Sequence, residues 1–369
     1  MSEKTKTTMP WKKRVIFILF NLLLMLVIIF ISGEIYVRSK GRKPFVITKP
    51  EIRVEPGEKY FQKNTELGYT HLPGKFTVTI REKFTFVTTH RKDTLRITHP
   101  VEQDADFAGK EKIWILGCSV THGWCLNDNE TYPWLLQEKI PQYEIINFGV
   151  SGYGTIHSLI QLQKGLETMP KPKLVILTYA SFHDTRNAFS TIRRRIVSAW
   201  NFLGPLTQPY ASLDKQGKLQ LHRADKVVYS PWPLARVSAL INYLETKYIA
   251  QESRKTPFFE ISRALVKRIY NICKKEGIPM IAAGIKENQK KMRRMLAFCK
   301  KQKIPNVDIS VDLTKKEHNF LPIDAHPSAL ANRKYAKKLF RFLQENNFLN
   351  PTPAEPTLSA HQHPEEENH

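Results

Sequence analysis

Residues 113–123 read IWILGCSVTHG, a short apolar run that passes directly into a turn bounded by two glycines. Four more apolar runs follow, separated by segments long enough for a helix; they are residues 145–147, 174–179, 280–284 and 307–310. Strands that alternate with helices form a parallel sheet covered by helices on both faces. The pattern therefore predicts an α/β domain with about five parallel strands.

Five segments of this region have the length and apolar spacing of helices: residues 130–140, 155–167, 259–276, 287–301 and 328–346. The last of them begins with Ser328, a favourable N-cap residue. Between residues 188 and 255 the alternation stops, which indicates an insertion after the third strand. An insertion at this point lies at the carboxyl edge of the sheet, where open α/β folds bind ligands.

A different pattern precedes the α/β region. In residues 76–80 and 84–88 apolar and polar residues roughly alternate and β-branched side chains are frequent, which predicts a hairpin that turns at residues 81–83. We assign residues 59–108 to a small β-rich segment. The stretch before it, residues 38–58, is rich in charge and proline and is interpreted as a stalk.

An apolar run near the N-terminus covers residues 15–33, and only Asn21 and Ser32 in it carry polar side chains. A helix of this length spans roughly the hydrocarbon core of a bilayer. We expect a retained single-pass anchor over residues 15–37, preceded by a basic segment, residues 1–14. The alternative is a cleaved signal peptide, although the run is longer than is typical and lacks a small-residue cleavage site. Basic residues flank both ends, so charge leaves the orientation open.

The composition is that of a globular chain with a strong positive charge. Its 369 residues include 57 Lys and Arg against 34 Asp and Glu, a net charge of +23, which attracts anionic surfaces. The densest basic stretch, residues 261–303, covers the solvent faces of two predicted helices. We interpret it as a solvated face near an anionic membrane, and we expect no nucleic-acid partner.

The sequence shows no defined metal or disulfide site. Its four Cys form no CxxC pair. The acidic tail, residues 348–369, has the composition of a disordered segment, and its His361, His363 and His369 lack the spacing of a metal site. We therefore expect no metal and no cofactor.

Candidate catalytic residues follow the first and last predicted strands. Ser119 stands on a tight turn between a strand and a helix, where a hydroxyl is exposed and nearby amides can stabilise an oxyanion. Asp324 lies close enough to His326 to fix the imidazole tautomer that removes a serine proton. Each signal alone is common in proteins. Because both should emerge at the same edge of the sheet, together they predict a Ser-His-Asp triad.

The chain resembles the SGNH (GDSL-like) hydrolase family, in particular its bacterial membrane-anchored members, over roughly residues 60–347. The segment Gly117-Cys118-Ser119 resembles the first block of the family, Gly-Asp-Ser, and implies that Ser119 is the nucleophile. The resemblance implies a flavodoxin-like parallel sheet with helices on both faces over residues 109–347.

The other blocks can be matched residue by residue. NFGVSGYG at residues 147–154 resembles the second block and implies that the Gly152 amide joins the Ser119 amide in an oxyanion hole. Asp324 and His326 match the last block, with one residue between them where the family usually has two.

Two positions depart from the family pattern. Cys118 stands where the family has Asp, and the third block, normally Gly-x-Asn-Asp, reads SFHD, so that His183 occupies the position of the oxyanion Asn. An imidazole can donate a hydrogen bond as an amide does, and His183 is therefore the expected third donor. Asn187, four residues further along, is the alternative source of an amide. His122 is expected to be structural rather than to contact substrate.

The resemblance implies an SGNH-type esterase that cleaves acyl esters, with acetyl groups on cell-envelope carbohydrate as the implied substrate. We expect it to be held in the inner (cytoplasmic) membrane, with the catalytic domain on the extracytoplasmic side and the lipid bilayer as a partner. One alternative is a polysaccharide O-acyltransferase that uses the same triad. The other is a noncatalytic envelope-binding protein that has kept the fold.

Overall fold

The computed structural model describes residues 10–47, 51–199, 203–285 and 289–349. Most of the expected basic N-terminal segment and nearly all of the expected disordered tail lie outside these residues. The last described residues, Phe348 and Leu349, pack against the core of the domain, and the Tyr143 hydroxyl donates to the Leu349 carbonyl at 2.9 Å.

The strands of this part of the chain are β1 (Ile52–Glu55), β2 (Phe61–Asn64), β3 (Gly68–His71), β4 (Gly74–Ile80), β5 (Phe84–His90), β6 (Lys112–Leu116), β7 (Glu144–Asn147), β8 (Leu174–Tyr179), β9 (Leu206–Leu213), β10 (Leu219–Val227), β11 (Met280–Gly284), β12 (Asn306–Asp308), β13 (Asn319–Phe320) and β14 (Asp324–Pro327). The α-helices are α1 (Trp11–Ser39), α2 (Asp104–Phe107), α3 (Ser119–His122), α4 (Tyr132–Gln137), α5 (Thr155–Thr168), α6 (His183–Asn187), α7 (Thr191–Ala199), α8 (Ala239–Lys255), α9 (Phe258–Lys275), α10 (Gln289–Lys301) and α11 (Ala329–Glu345).

Five parallel strands form the central sheet in the order β12-β11-β8-β6-β7. This is the flavodoxin-like strand order, and it confirms the fold class expected from the sequence. The order reverses between β6 and β8, because the chain moves from β6 to one neighbour and then crosses back to the other side. The carboxyl ends of these two strands therefore border the crevice in which such folds bind ligands.

Alternate residues of the central strands point to opposite faces of the sheet, and each face has its own core. Ile113 and Ile115 of β6 pack with α4 and α11 on one face, whereas Trp114 and Leu116 pack with α5, α9 and α10 on the other. All four side chains are fully buried. Strands covered on both faces read as continuous apolar runs, which is why the sequence marks them so clearly.

The β-rich segment contains the hairpin predicted from the sequence. Strands β4 and β5 pair antiparallel, and Arg81 and Glu82 in the turn have φ of +51° and +50°. Positive φ at both central residues is the geometry of a type I′ turn, whose twist matches that of the flanking strands. Strand β1 also pairs with β4, so part of the stretch interpreted as a stalk belongs to this sheet. The short β1 was missed because its charged residues face solvent.

One buried guanidinium joins the β-rich segment to the α/β domain. Arg96 is 1% exposed, and its Nη atoms donate to the carbonyls of His122, Gly123 and Leu126 at 2.7 to 2.9 Å. Its Nε donates to Asp128 at 2.9 Å. Arg96 therefore holds the loop that follows α3 in one conformation.

The insertion predicted for residues 188–255 contains α7, the β9-β10 hairpin and α8. It follows α6, directly after β8, and it therefore lies at the carboxyl edge of the sheet. Strand β9 contacts β3, α5 and α6, so the insertion packs on both the β-rich segment and the α/β domain.

Helix α1 is long and apolar enough to cross a membrane, and its most apolar stretch has no buried residue. Its carboxyl-terminal part packs on the insertion. The Glu34 carboxylate accepts hydrogen bonds from the Ser238 hydroxyl at 2.7 Å and from the Ala239 and Leu240 N–H groups at 2.9 and 2.8 Å. These amides begin α8, where unpaired N–H groups favour a negative charge. Helix α1 is thus fixed to the start of α8.

We predict that Arg96→Lys lowers the free energy of unfolding by about 3 kcal/mol, because an ammonium cannot reach the three carbonyls and Asp128 together and leaves buried acceptors unpaired. Chemical denaturation of the purified chain in detergent, followed by tryptophan fluorescence, measures the change. Arg53→Lys is the matched control, since Arg53 is exposed and lies 3.7 Å from Glu82. We expect a loss below about 1 kcal/mol there. Equal losses in the two variants would contradict the role of Arg96.

Candidate active site

The turn between β6 and α3 presents Ser119 at the carboxyl edge of the sheet. Ser119 is the first residue of α3, where helix geometry leaves the N–H groups without intrahelical acceptors. Gly117 precedes it, and a Cβ at that position would overlap the Thr121 and Thr178 side chains. The turn is therefore tight because Gly117 allows β6, β8 and α3 to approach closely. Ser119 itself is 4% exposed.

The structure brings Ser119, His326 and Asp324 into one hydrogen-bonded chain. His326 Nε2 lies 2.8 Å from Ser119 Oγ, and His326 Nδ1 lies 2.5 Å from Asp324 Oδ1. Asp324 and His326 belong to β14, a short strand paired with β13 just before α11. Since Asp324 accepts the Nδ1 proton, Nε2 carries the lone pair that can take the proton of the serine hydroxyl.

Several donors converge on the Asp324 carboxylate. The His326 backbone N–H donates to it at 2.8 Å and the Trp124 indole N–H donates at 3.3 Å. The Cys125 thiol lies nearby, with its sulfur within 4.8 Å of the carboxylate. Burial opposes the charge on Asp324. The hydrogen bonds and charge of His326, together with the hydrogen bond from Trp124, nevertheless hold the pKa of Asp324 below its usual value. Burial beside Asp324 raises the pKa of the Cys125 thiol, which therefore stays protonated.

The loop after β7 packs directly on α3. Asn147 donates from Nδ2 to the Thr121 carbonyl at 3.1 Å and accepts the Gly149 N–H at 2.9 Å. Gly152 follows in a tight turn with φ of +85°, a conformation that favours glycine, and a Cβ there would overlap the Tyr69 hydroxyl. The turn carrying Gly152 is thus held at the same edge as Ser119, which suits the role expected for its amide.

His183 lies at the start of α6, after β8, and is fully buried. Burial and the nearby Arg186 keep its pKa well below the usual value, so the ring is neutral. Its Nδ1 lies 3.4 Å from the Thr155 hydroxyl, and its Nε2 has no hydrogen-bond partner among the described residues. With Thr155 as the donor to Nδ1, the ring proton resides on Nε2.

Asn187, the alternative donor, is engaged elsewhere. Its Oδ1 accepts the Ile156 N–H at 3.0 Å, and its Nδ2 donates to the Ser262 hydroxyl at 2.9 Å. Asp184 of the same block also turns away from Ser119, because it accepts hydrogen bonds from Tyr179 and Ser262. Asn187 therefore ties α6 to α5 and α9, and Asp184 ties it to β8 and α9.

Cys118, which stands where the family has Asp, is fully buried in the core that includes α4 and α11. Arg186 lies close to its thiol. The Arg186 guanidinium also donates to the Tyr153 carbonyl at 2.7 Å and lies over the Phe182 ring. Burial and the neighbouring Arg193 lower the pKa of Arg186 to about 10, so it stays charged at neutral pH.

Sequence reasoning missed four residues that shape this site: Trp124, Cys125, Arg186 and Arg193. The first two follow the nucleophile by a few residues and lie near Asp324, 200 positions away in the chain for Trp124. Arg193 donates to the Gly152 carbonyl at 2.7 Å. No local motif in the sequence indicates such contacts.

No protein-family model and no curated protein matches the sequence. Several solved structures are similar to the structure of this chain. One is a member of the lipolytic protein G-D-S-L family from Veillonella parvula, with 9% identity over 63% of this chain and 97% of that chain and a TM-score of 0.38. Another is TesA, with 13% identity over 64% and 99% and a TM-score of 0.36. A third is AlinE4, an SGNH-hydrolase family esterase, with 17% identity over 54% and 76% and a TM-score of 0.31.

The Veillonella parvula protein and AlinE4 are described as members of the family that the sequence motifs resemble. The identities are low, and the assignment of the fold rests on the strand order of the central sheet.

We predict that His183→Ala lowers kcat by roughly 10²- to 10³-fold on an ester substrate and leaves KM nearly unchanged, the usual result of removing one oxyanion donor. His183→Asn should recover part of the activity, since an amide restores a donor. His99→Ala is the control, because His99 is also buried but stacks on Phe107, away from the site. Full activity of the His183→Ala enzyme would show that the third block takes no part.

Proposed function

We propose that the chain is a serine esterase of the SGNH type, with Ser119 as nucleophile, His326 as general base and acid, and Asp324 as the residue that orients His326. The observation that carries the proposal is the continuous hydrogen-bonded chain from Ser119 Oγ through the His326 ring to Asp324. A noncatalytic protein has no need of this geometry, and the replacement of the family Asp by Cys118 leaves it intact.

In the acylation step Ser119 Oγ attacks the ester carbonyl carbon while its proton passes to His326 Nε2. The carbonyl oxygen takes up the electron pair and becomes the oxyanion of a tetrahedral intermediate. The intermediate then collapses, the bond to the leaving alcohol breaks, and His326 returns the proton to that alcohol. Water repeats the sequence on the acyl-enzyme and releases the acid and free Ser119.

The proposed oxyanion hole consists of the Ser119 and Gly152 amides and His183 Nε2. Fixed positive charge supports it, since Arg193 bonds to the Gly152 carbonyl and Arg186 bonds to the Tyr153 carbonyl in the same turn. Donors and charges that are already oriented before reaction stabilise developing negative charge at little reorganisation cost. The two arginines also hold the turn in the conformation that presents the Gly152 amide.

The acyl group that suits this site is small. Ser119 is almost fully buried, and the fully buried His183 lies at the start of the helix after the neighbouring strand. We therefore propose acetyl esters, with cell-envelope carbohydrate as the alcohol component. A polysaccharide O-acyltransferase would form the same acyl-enzyme and transfer it to a sugar hydroxyl, so a dependence of product on an added sugar acceptor distinguishes the two activities.

We further propose that α1 is a retained anchor that holds the domain on the extracytoplasmic face of the inner membrane. Its hydrocarbon-spanning part ends near Gly33, since Glu34 accepts hydrogen bonds from the start of α8. Gly33 packs directly against Leu240, and Arg38 donates to the Val237 carbonyl at 3.2 Å. A signal peptide cleaved after this run would leave these contacts unmade, which favours retention.

We predict that a fluorophosphonate labels the wild-type chain and that Ser119→Ala abolishes both labelling and ester turnover. Cys118→Ser is the matched control. It keeps Ser119 and should retain most of the labelling, because Cys118 is buried in the core. Gel fluorescence and acetyl-ester hydrolysis measure the two effects.

Labelling that persists in Ser119→Ala but disappears in Cys118→Ser would identify a thiol enzyme and refute the assignment of the nucleophile. Absence of labelling in every variant, the wild type included, would leave a noncatalytic protein.

For the anchor we predict that the chain purified from membranes retains its N-terminal residues. We also predict that a reporter enzyme that works only outside the cytoplasm is active when it is fused after His369. Intact mass measurement reads the first property and reporter activity the second. Recovery of a chain that begins near Glu34 would identify a cleaved signal peptide. Activity of a reporter that works only in the cytoplasm would reverse the orientation.

A further inference from the structure

Three buried histidines meet beneath the nucleophile helix, where the β-rich segment packs on the α/β domain. They are His71 at the end of β3, His90 at the end of β5 and His122 at the end of α3, and we call them the histidine cluster. None is more than 3% exposed, and one nitrogen of each lies within 4.8 Å of those of the other two. The cluster is separate from the triad, and the proposed reaction does not use it.

The donor atoms of the cluster have the spacing of a coordination shell. His90 Nε2 lies 3.0 Å from His122 Nε2, and the Tyr60 hydroxyl oxygen lies 3.1 Å from His122 Nε2 and 3.4 Å from His90 Nε2. Four ligands placed tetrahedrally about 2.0 to 2.1 Å from Zn²⁺ stand about 3.3 Å from one another. His71 completes the set of four residues around this point.

The His90 ring presents a nitrogen lone pair to the cluster. His90 Nδ1 lies 3.0 Å from the Leu72 carbonyl and donates its proton there, which leaves the lone pair on Nε2. A ring nitrogen bonded to a carbonyl in this way is the usual outer contact of a histidine ligand.

Polar atoms of the cluster are left unsatisfied by the protein. Both nitrogens of His71 and Nδ1 of His122 are buried and have no hydrogen-bond partner among the described residues. An unpaired buried polar atom is costly, and such atoms call for an explanation. A bound ion would satisfy the His71 ring, which now stacks on His90 with centroids 4.3 Å apart and has to turn out of the stack to direct a nitrogen at the ion.

The donor atoms of the cluster favour a metal with soft or borderline character, since the cluster contains no carboxylate. The charge of the nearby Arg96 opposes a cation here and is offset by its ion pair with Asp128. Neutral imidazoles suit Zn²⁺ and similar transition metals, whereas Ca²⁺ and Mg²⁺ require oxygen ligands. Among these metals, Zn²⁺ best suits a closed site of four ligands because it favours tetrahedral coordination.

We propose that His71, His90 and His122 bind one Zn²⁺ ion, with the Tyr60 oxygen as the fourth contact, and that the ion joins the β-rich segment to the helix that carries Ser119. No metal was expected from the sequence, in which these histidines stand 19 and 32 positions apart and show no local ligand spacing. The role is structural, since the ion would lie behind α3 and away from the substrate.

The test uses the full-length chain in detergent with His361, His363 and His369 replaced by Gln, so that the tail cannot bind metal. After dialysis against a chelator, we expect one equivalent of Zn²⁺ to bind in competition with a chromophoric chelator and to raise the thermal unfolding midpoint. His71→Gln should weaken binding by more than the roughly 10- to 100-fold typical of losing an outer contact. His157→Gln is the matched control, since His157 is as buried but lies on α5.

X-ray absorption of the zinc-loaded chain with intact histidine cluster provides a readout that does not depend on the folding of a variant. Three imidazole ligands in the spectrum support the proposal, and the Ser119→Ala chain should bind zinc as tightly as its parent, since the site does not involve the triad. Failure to bind one equivalent, a shell without imidazoles, or equal affinity of the His71→Gln chain would show that the cluster is a hydrogen-bonded set of neutral rings only.

Discussion

The conformation of the loop after α3 depends on the buried guanidinium of Arg96, and most of the candidate site depends on that loop. Arg96 crosslinks the carbonyls of His122, Gly123 and Leu126 and pairs with Asp128. Between these points lie Trp124, which donates to Asp324, and Cys125, whose thiol lies near the same carboxylate. A planar group with five donors can satisfy several buried carbonyls and a carboxylate together, which an ammonium cannot. One side chain from outside the α/β domain thus positions two neighbours of the Asp324 carboxylate.

The site combines a negative and a positive half. On one side, convergent donors keep Asp324 ionised despite its burial, so that it can orient His326 and stabilise the imidazolium formed during reaction. On the other side, Arg186 and Arg193 hold the turn that contains Gly152. In the proposed acylation step, negative charge would develop close to these two arginines.

Much of the fold could be predicted because both faces of the sheet are buried. Each buried strand therefore reads as a continuous apolar run, and each helix reads as an apolar stripe at helical spacing. Both patterns can be recognised in the sequence. The hairpin of β4 and β5 was equally visible. The short β1 could not be predicted, since its charged residues face solvent and its position is fixed by pairing with β4. Of the candidate site, Ser119, Asp324 and His326 could be named because each follows a predicted strand.

The sequence by itself determined the class of fold, the apolar helix near the N-terminus and the three residues of the candidate triad, since these depend on local composition and spacing. Only the tertiary structure decided that Trp124 and Cys125 lie near Asp324, that Asn187 bonds to Ser262, and that three histidines from β3, β5 and α3 meet. Such contacts join residues far apart in the chain. Their geometry follows from how packed elements cross, which no short stretch of sequence encodes.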